Sequence, residues 1–229
     1  MASQAHFGPQ LFRFLSDLSR HNDREWFQKN KHRYEQDVRD PMLAFIGDFA
    51  PYLEKISPAF LADPRPNGGS LFRIHRDVRF SSDKSPYKTN AGAHFRHESH
   101  KDAHAPGFYL HLEPREVFAA AGVWHPDGAS LTRIRQTIVA DPDGWRRAST
   151  SKALRAAGAL DGDSLKRPPA GFDADHPLIE DLKRKDFFAI ARLTPEDVCK
   201  PGFIREFAKT CEAFSGLTRF LTVALGLRW

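Results

Sequence analysis

The run from Arg73 to Lys88 gathers the groups from which a polar site is made. Arg73, Arg76 and Arg79 offer planar guanidinium forks that hold phosphate or carboxylate through paired hydrogen bonds, and Lys84 and Lys88 add compact point charges. His75 and Asp77 are candidate acid–base groups, and Tyr87 supplies a third proton-bearing side chain. Asp83 completes the set, either against a ligand or against one of the cations. The chemistry these residue types suit is recognition of an anion, with proton transfer as an option.

Spacing says how they are presented. Phe72, Ile74, Val78 and Phe80 alternate with Arg73, His75, Asp77 and Arg79, the period-two pattern of a strand with one wet face. Arg76 interrupts the apolar side, which predicts a bulge or a buried ion pair there. Ser85-Pro86 marks a turn, after which Tyr87 and Lys88 can close over a ligand together with Lys84. Neighbouring strands add Tyr109, His111 and Glu113, with His94 and Arg96, to the same face. A plainer reading stands beside this one. Asp77 neutralises Arg76 and Arg79, Asp83 caps the turn or pairs with Lys84, and the face is an ion-pair network with an architectural role.

The flanking elements are legible from apolar periodicity. Leu11, Phe12, Phe14, Leu15 and Leu18 mark a first helix that breaks at His21-Asn22. Asn22 or Asp23 caps a second, carrying Trp26, Phe27, Asn30, Tyr34 and Val38. Asp40-Pro41 reads as the start of a third, with Leu43, Phe45, Ile46, Phe49 and Leu53 on it. These aromatic stripes are core faces. A Pro- and Gly-rich loop spans 57–70. After the charged strand, strands are expected over 88–97, 107–113 and 116–124, the second with Phe108, Leu110 and Leu112 on one side and Tyr109, His111 and Glu113 on the other. Leu131, Ile134, Ile138 and Val139 form a helical face, followed by short helices around Trp145 and over 152–157. The stretch 161–175 reads as loop, 177–185 as helix and 187–193 as a last strand. Thr194-Pro195-Glu196 opens a helical C-terminus with Phe203, Phe207, Cys211, Phe214 and Leu217 on one stripe. The fold class is therefore α+β, a largely antiparallel sheet of about five strands packed by N-terminal and C-terminal helices. One domain over residues 1–229 is the expectation for this length.

Composition narrows the classes. The chain has 229 residues, 34 Lys plus Arg against 29 Asp plus Glu, and a net charge of +5. A surplus of this size favours anionic partners in general without specifying nucleic acid. Nineteen Phe supply bulky core material and argue against disorder. Two cysteines, Cys199 and Cys211, make no disulfide framework and predict reduced thiols. The N-terminal residues lack the apolar core of a secretion signal, and no apolar run is long enough to span a bilayer, so a cytoplasmic location is expected.

Other constellations carry less. His94, His97, His100 and His104 are read as solvated loop histidines, because three convergent ligands cannot be named among them, and no metal site is assigned. The cysteine spacing does not suit zinc or a thiol catalyst. Gly68-Gly69-Ser70 precedes a strand and is no phosphate-binding loop. No cofactor is indicated.

The charged run resembles a family signature. Arg73-x-x-Arg76-Asp77-x-Arg79-Phe80, followed by Asp83-Lys84-x-x-Tyr87, is similar to the pattern of an uncharacterised bacterial and fungal family, the domain of unknown function numbered 2461. The likeness extends to Glu25-Trp26-Phe27, to the stretch from Gly122 to Pro126, to Ile134-Arg135 and to the stretch from Lys166 to Pro177, nearly the length of the chain. The resemblance implies that the charged run forms the site. It implies no particular activity, cofactor or catalytic residue.

Three functional readings follow. The first is binding of a small anionic ligand, phosphorylated ones included, and possible chemistry upon it. Arg73, Arg76 and Arg79 would hold the anion, Asp77 would orient an arginine or act as base, His75 and Tyr87 are the other catalytic candidates, and Asp83, Lys84, Lys88 and His111 would complete the pocket with Tyr87. The second is a nucleic-acid-binding module using the basic groups with Phe80, Tyr87 and Tyr109. The third is a structural or partner-binding role in which the motif is an ion network. Whether the protein is an enzyme is left open by the sequence.

Overall fold

Proline at the first helical position starts α1 (Pro9–Arg20), and Leu11, Phe12, Phe14, Leu15 and Leu18 are all buried, as their spacing predicts. These details come from a computed structural model that describes residues 5–79, 81–99 and 104–229. Phe80 of the charged run and His100 of the histidine-rich stretch lie outside the described residues. Asp23 caps α2 (Arg24–Lys29), its carboxylate accepting the Trp26 N–H at 2.8 Å.

The expected second helix is not continuous. α2 stops at Asn30, and α3 (Lys31–Tyr34) runs through a π-helical turn, Glu35–Arg39, directly into α4 (Asp40–Ile56). Asp40-Pro41 is thus not a fresh helix start, because helical backbone precedes it. Proline lacks an N–H and its ring crowds the carbonyl four residues back, and the wide turn immediately before it accommodates both. Phe45, Ile46, Phe49 and Leu53 are buried on α4, whereas Leu43 is only half-buried.

The sheet contains β1 (Ala91–Arg96), β2 (Gly107–Glu113) and β3 (Glu116–Val123). The chain continues through α5 (Gly128–Ala140), α6 (Pro142–Ser149) and α7 (Lys152–Ala157) to β4 (Ala159–Asp161). α8 (Ile179–Leu182), β5 (Phe187–Leu193), α9 (Pro195–Val198) and α10 (Phe203–Ala224) complete it. Strand order is β1-β2-β3-β5-β4, and every pairing is antiparallel. The architecture is α+β, as expected.

Membership of the sheet differs from expectation at one strand. The charged run is not in the ladder. Among the described residues it makes only isolated bridges, Leu71 with Ala93 and His75 with Tyr87. Its polar side chains compete for the backbone: Asp77 accepts the Arg79 N–H at 3.2 Å, and Asp83 accepts the Ser85 N–H at 2.9 Å. Pro86 offers no ladder donor. The fifth strand is instead β4, at the opposite edge beside β5 and, at three residues, too short to register as a period. Two further expectations fail: 177–185 is helical only over α8, and Val139 points to solvent while Ile134 and Ile138 are buried.

One sheet face is core. Ala93, Phe95, Phe108, Leu110, Leu112, Ala119, Ala121, Phe187 and Ala189 are buried, and α10 lies against β3 and β5 with Phe207, Cys211, Phe214 and Leu217 inward. Thr194 and Asp197 form a reciprocal capping box at α9, where the sequence placed a helix start. Gly122, at φ +134°, lets β3 approach β5 so closely that a Cβ would stand 2.2 Å from the Phe187 carbonyl oxygen. The opposite sheet face carries Gly92, His94, Tyr109, His111 and Phe118, and it is this face that the charged run flanks.

Candidate functional site

Helix α2 and the sheet edge hold the charged run as an arm. The Asn22 side chain grips Tyr87 by both backbone groups, Nδ2 donating to the carbonyl and Oδ1 accepting the N–H, each at 3.0 Å. Asn22 thereby substitutes for a neighbouring strand, and its role is not legible from a residue that reads as a helix cap. Further backbone bonds, Phe72 N–H to Gly92 O at 2.9 Å and Lys88 N–H to Ile74 O at 2.8 Å, seat both ends of the arm. Burial still alternates along it: Ile74 is buried, Arg76 and Val78 are half-buried, and Arg73, His75, Asp77 and Arg79 face water.

The charges sort themselves. Asp77 binds Arg79 through two side-chain bonds of 2.9 and 2.7 Å. Arg76 pairs with Asp83, so the interruption in the pattern is an ion pair, with the Arg76 side chain 30% exposed rather than buried. Asp83 also accepts the Ser85 hydroxyl at 2.6 Å, and Lys84 Nζ donates to the Val78 carbonyl at 3.0 Å. The Arg79 guanidinium beside Asp77 holds its carboxyl down at about 2. Ser85 and Arg76 push Asp83 down as well. Both acids are therefore weak bases at neutral pH.

Arg79→Ala tests this assignment. The Asp77 carboxyl, followed by NMR, is expected to return from about 2 towards its ordinary 3.8. Because the folded value is the depressed one, any stability the pair contributes is present above the ordinary value and lost as pH falls through about 2. The thermal midpoint between pH 5 and 9 should be unchanged, since both groups stand in water, where ion pairs are screened.

Tyr87 is not placed as a surface hydroxyl. It is 2% exposed, and its ring stacks on Phe27 at 4.0 Å with His75 tilted against it at 5.1 Å. His75, Arg76, Val78, Pro86 and Tyr87 line a cleft of about 300 Å³ with Arg24 and Gln28 of α2. The two α2 residues were missed because nothing in a helical stripe says which loop its polar side will face.

Arg73 and Lys88 stand apart from the neutralised pairs. Among the described residues neither is in an ion pair, although the Arg73 charge also helps hold down the Asp77 carboxyl that Arg79 binds. They lie close enough that burial first, and the Arg73 charge second, push the Lys88 ammonium down. Lys88 Nζ lies 5.1 Å from the Phe72 ring centroid, and that ring is 5.9 Å from Tyr109. From Tyr109 a chain continues: its hydroxyl is 3.0 Å from His111 Nδ1, and His111 Nε2 is 3.4 Å from Glu113 Oε2. Asn90 Nδ2 stands 3.2 Å from the same Nδ1, and Thr89 Oγ1 donates to Glu113 Oε1 at 2.9 Å. Burial pushes the His111 imidazole down, outweighing Glu113, so it is neutral at pH 7. Tyr109 is pushed well up by burial. Gly92 is required here, since a Cβ would meet the Tyr109 hydroxyl at 2.4 Å.

The histidines expected in solvent divide. His94 and His97 are buried, His97 Nε2 lying 2.8 Å from the Arg228 carbonyl, while exposed His104 stacks on Trp124. His97 is buried because the C-terminal residues fold over the end of β1, and His94 because Phe72 and Tyr109 pack on it. Arg96 donates to the Gly68 and Gly69 carbonyls at 3.2 Å, holding the loop before the arm.

A family model described as "Conserved hypothetical protein (DUF2461)" matches residues 10–220. The chain belongs to this family. No curated protein and no solved structure matches it. Family membership ties the charged arm, Asn22 and the sheet-face residues to one matched unit, and it assigns none of them a reaction. No helix among the described residues is long and apolar enough to cross a membrane.

Proposed function

We propose that this DUF2461 protein binds a small anionic ligand, phosphorylated ones included, between Arg73 and Lys88. The observation that carries the reading is a pair of neighbouring cations, one of them half-buried, neither in an ion pair among the described residues, beside arginines that each have one. Drawing like charges together costs the fold energy that an anion returns. Arg76 and Arg79 are occupied by Asp83 and Asp77, so the anion belongs at Arg73 and Lys88 rather than along the whole arm. If chemistry follows binding, Asp77, held down by Arg79, is a poor base, and His75 at the cleft is the other candidate. The same reading assigns the protein to the cytoplasm, which the free thiols Cys199 and Cys211 support.

Calorimetric titration with inorganic phosphate and pyrophosphate tests it. Arg73→Ala and Lys88→Ala should each weaken binding about 10- to 100-fold, the worth of one charge-assisted hydrogen bond. Arg79→Ala should leave it within about twofold. Equal loss in all three variants overturns the assignment. Failure of both anions to bind, with single-stranded nucleic acid binding that weakens steeply with salt, replaces it with the nucleic-acid reading.

A further inference from the structure

The β2–β3 hairpin ends in an arrangement that its own strands do not neutralise. Glu113 and Glu116 are cross-strand partners directly opposite one another, and His111 lies two residues before Glu113 on the same face. Like charges facing each other across an antiparallel pair destabilise it. Arg192 reaches Glu116 Oε1 at 3.5 Å but is 69% exposed and shared with Asp161 at 3.9 Å. Among the described residues Glu113 has no lysine or arginine partner.

One ligand atom from each of His111, Glu113 and Glu116 falls within 4.8 Å of the others. Donors around one transition ion at about 2.1 Å are separated by roughly 3.4 Å in tetrahedral geometry, the spacing His111 Nε2 and Glu113 Oε2 already have, so Glu116 must close in by up to about 1.4 Å. Glu116, whose side chain is 50% exposed, is free to make that movement by leaving Arg192. Two of the donors are already aimed. Thr89 fixes one Glu113 oxygen and leaves the other facing His111 Nε2, and Tyr109 stands at Nδ1. Such outer partners orient metal-ligating histidines and carboxylates.

We propose that His111, Glu113 and Glu116 bind a divalent first-row transition ion, His111 through Nε2 and each glutamate through one carboxylate oxygen. Nε2 ligation places the imidazole proton on Nδ1, where Tyr109 Oη accepts it, and the Asn90 amide turns its oxygen to the same atom. Three protein ligands on a face open to water leave a coordination position for solvent or substrate, the pattern of a reactive rather than a structural centre. One imidazole with two carboxylates suits Zn²⁺ or Mn²⁺ better than a thiol-preferring ion. The proposal stands independently of the anion site.

The test is calorimetric titration of the chelator-stripped full chain with ZnCl₂ and with MnCl₂, beside circular dichroism of each variant. One ion per chain is expected for the parent protein. His111→Ala and Glu113→Gln should each weaken it at least about tenfold. Glu116→Gln, at an exposed position that the fold does not need, should do the same with an unchanged dichroism spectrum. Absence of saturable binding overturns the proposal, and so does an ion that the Glu116→Gln protein binds as tightly as the parent.

Discussion

Tyr87→Ala is expected to destabilise the protein by about 3–5 kcal/mol, the cost of emptying a buried aromatic site. The ring is 2% exposed and stacked on Phe27, which in turn packs against Phe14 and Tyr34. Its removal leaves a cavity between α2 and the arm and frees the segment that Asn22 secures. Tyr87→Phe keeps the stack and should cost no more than about 1 kcal/mol, the net worth of a hydroxyl's hydrogen bonding. Urea unfolding with an unchanged slope measures both. An unaltered midpoint for Tyr87→Ala would mean that the ring does not belong to the core. A stable Tyr87→Phe protein that has lost phosphate binding would mean that the phenol touches the ligand.

Asp186→Ala should cost about 2–6 kcal/mol, because two backbone donors lose their acceptor and each loss is worth about 1–3 kcal/mol. The carboxylate is buried, with Oδ1 accepting the His125 N–H at 2.8 Å and Oδ2 the Asp163 N–H at 3.0 Å. It thereby ties the turn after β3 to the loop after β4. His125 has φ +48°, a left-handed conformation uncommon outside glycine, and the bond from Asp186 helps hold it there. Asp186→Asn retains one acceptor oxygen and should lose about half as much. Equal unfolding midpoints for Asp186→Ala and the parent protein would show that water replaces the carboxylate at both donors.

The two substitutions probe parts of the chain that differ in legibility. Tyr87 was visible as part of a dense pattern, but its type suggested chemistry, whereas its burial says packing. A tyrosine in a polar run reads alike in both cases, because the stacking partner Phe27 lies sixty residues away in sequence. Asp186 gave no signal at all. A single acid before an apolar strand is ordinary, and its value comes from two donors that the fold brings to it from the turn after β3 and the loop after β4. His111 was singled out for the anion site, yet its hydrogen-bonded neighbours connect it to Glu113, which together with Glu116 suggests a different ligand.

The sequence by itself determined the α+β class, the family, the core faces of α1, α4 and α10 and the strands β2, β3 and β5. Each rests on local periodicity or on contiguous motifs, which survive whatever the rest of the chain does. Only the tertiary structure decided that the charged run is an arm beside the sheet and that the fifth strand is β4 at the opposite edge. It alone separated the neutralised arginines from Arg73 and Lys88. Ion pairing and strand membership depend on which side chains and backbone groups compete for one another at a few ångströms, and that competition is resolved only when distant segments meet.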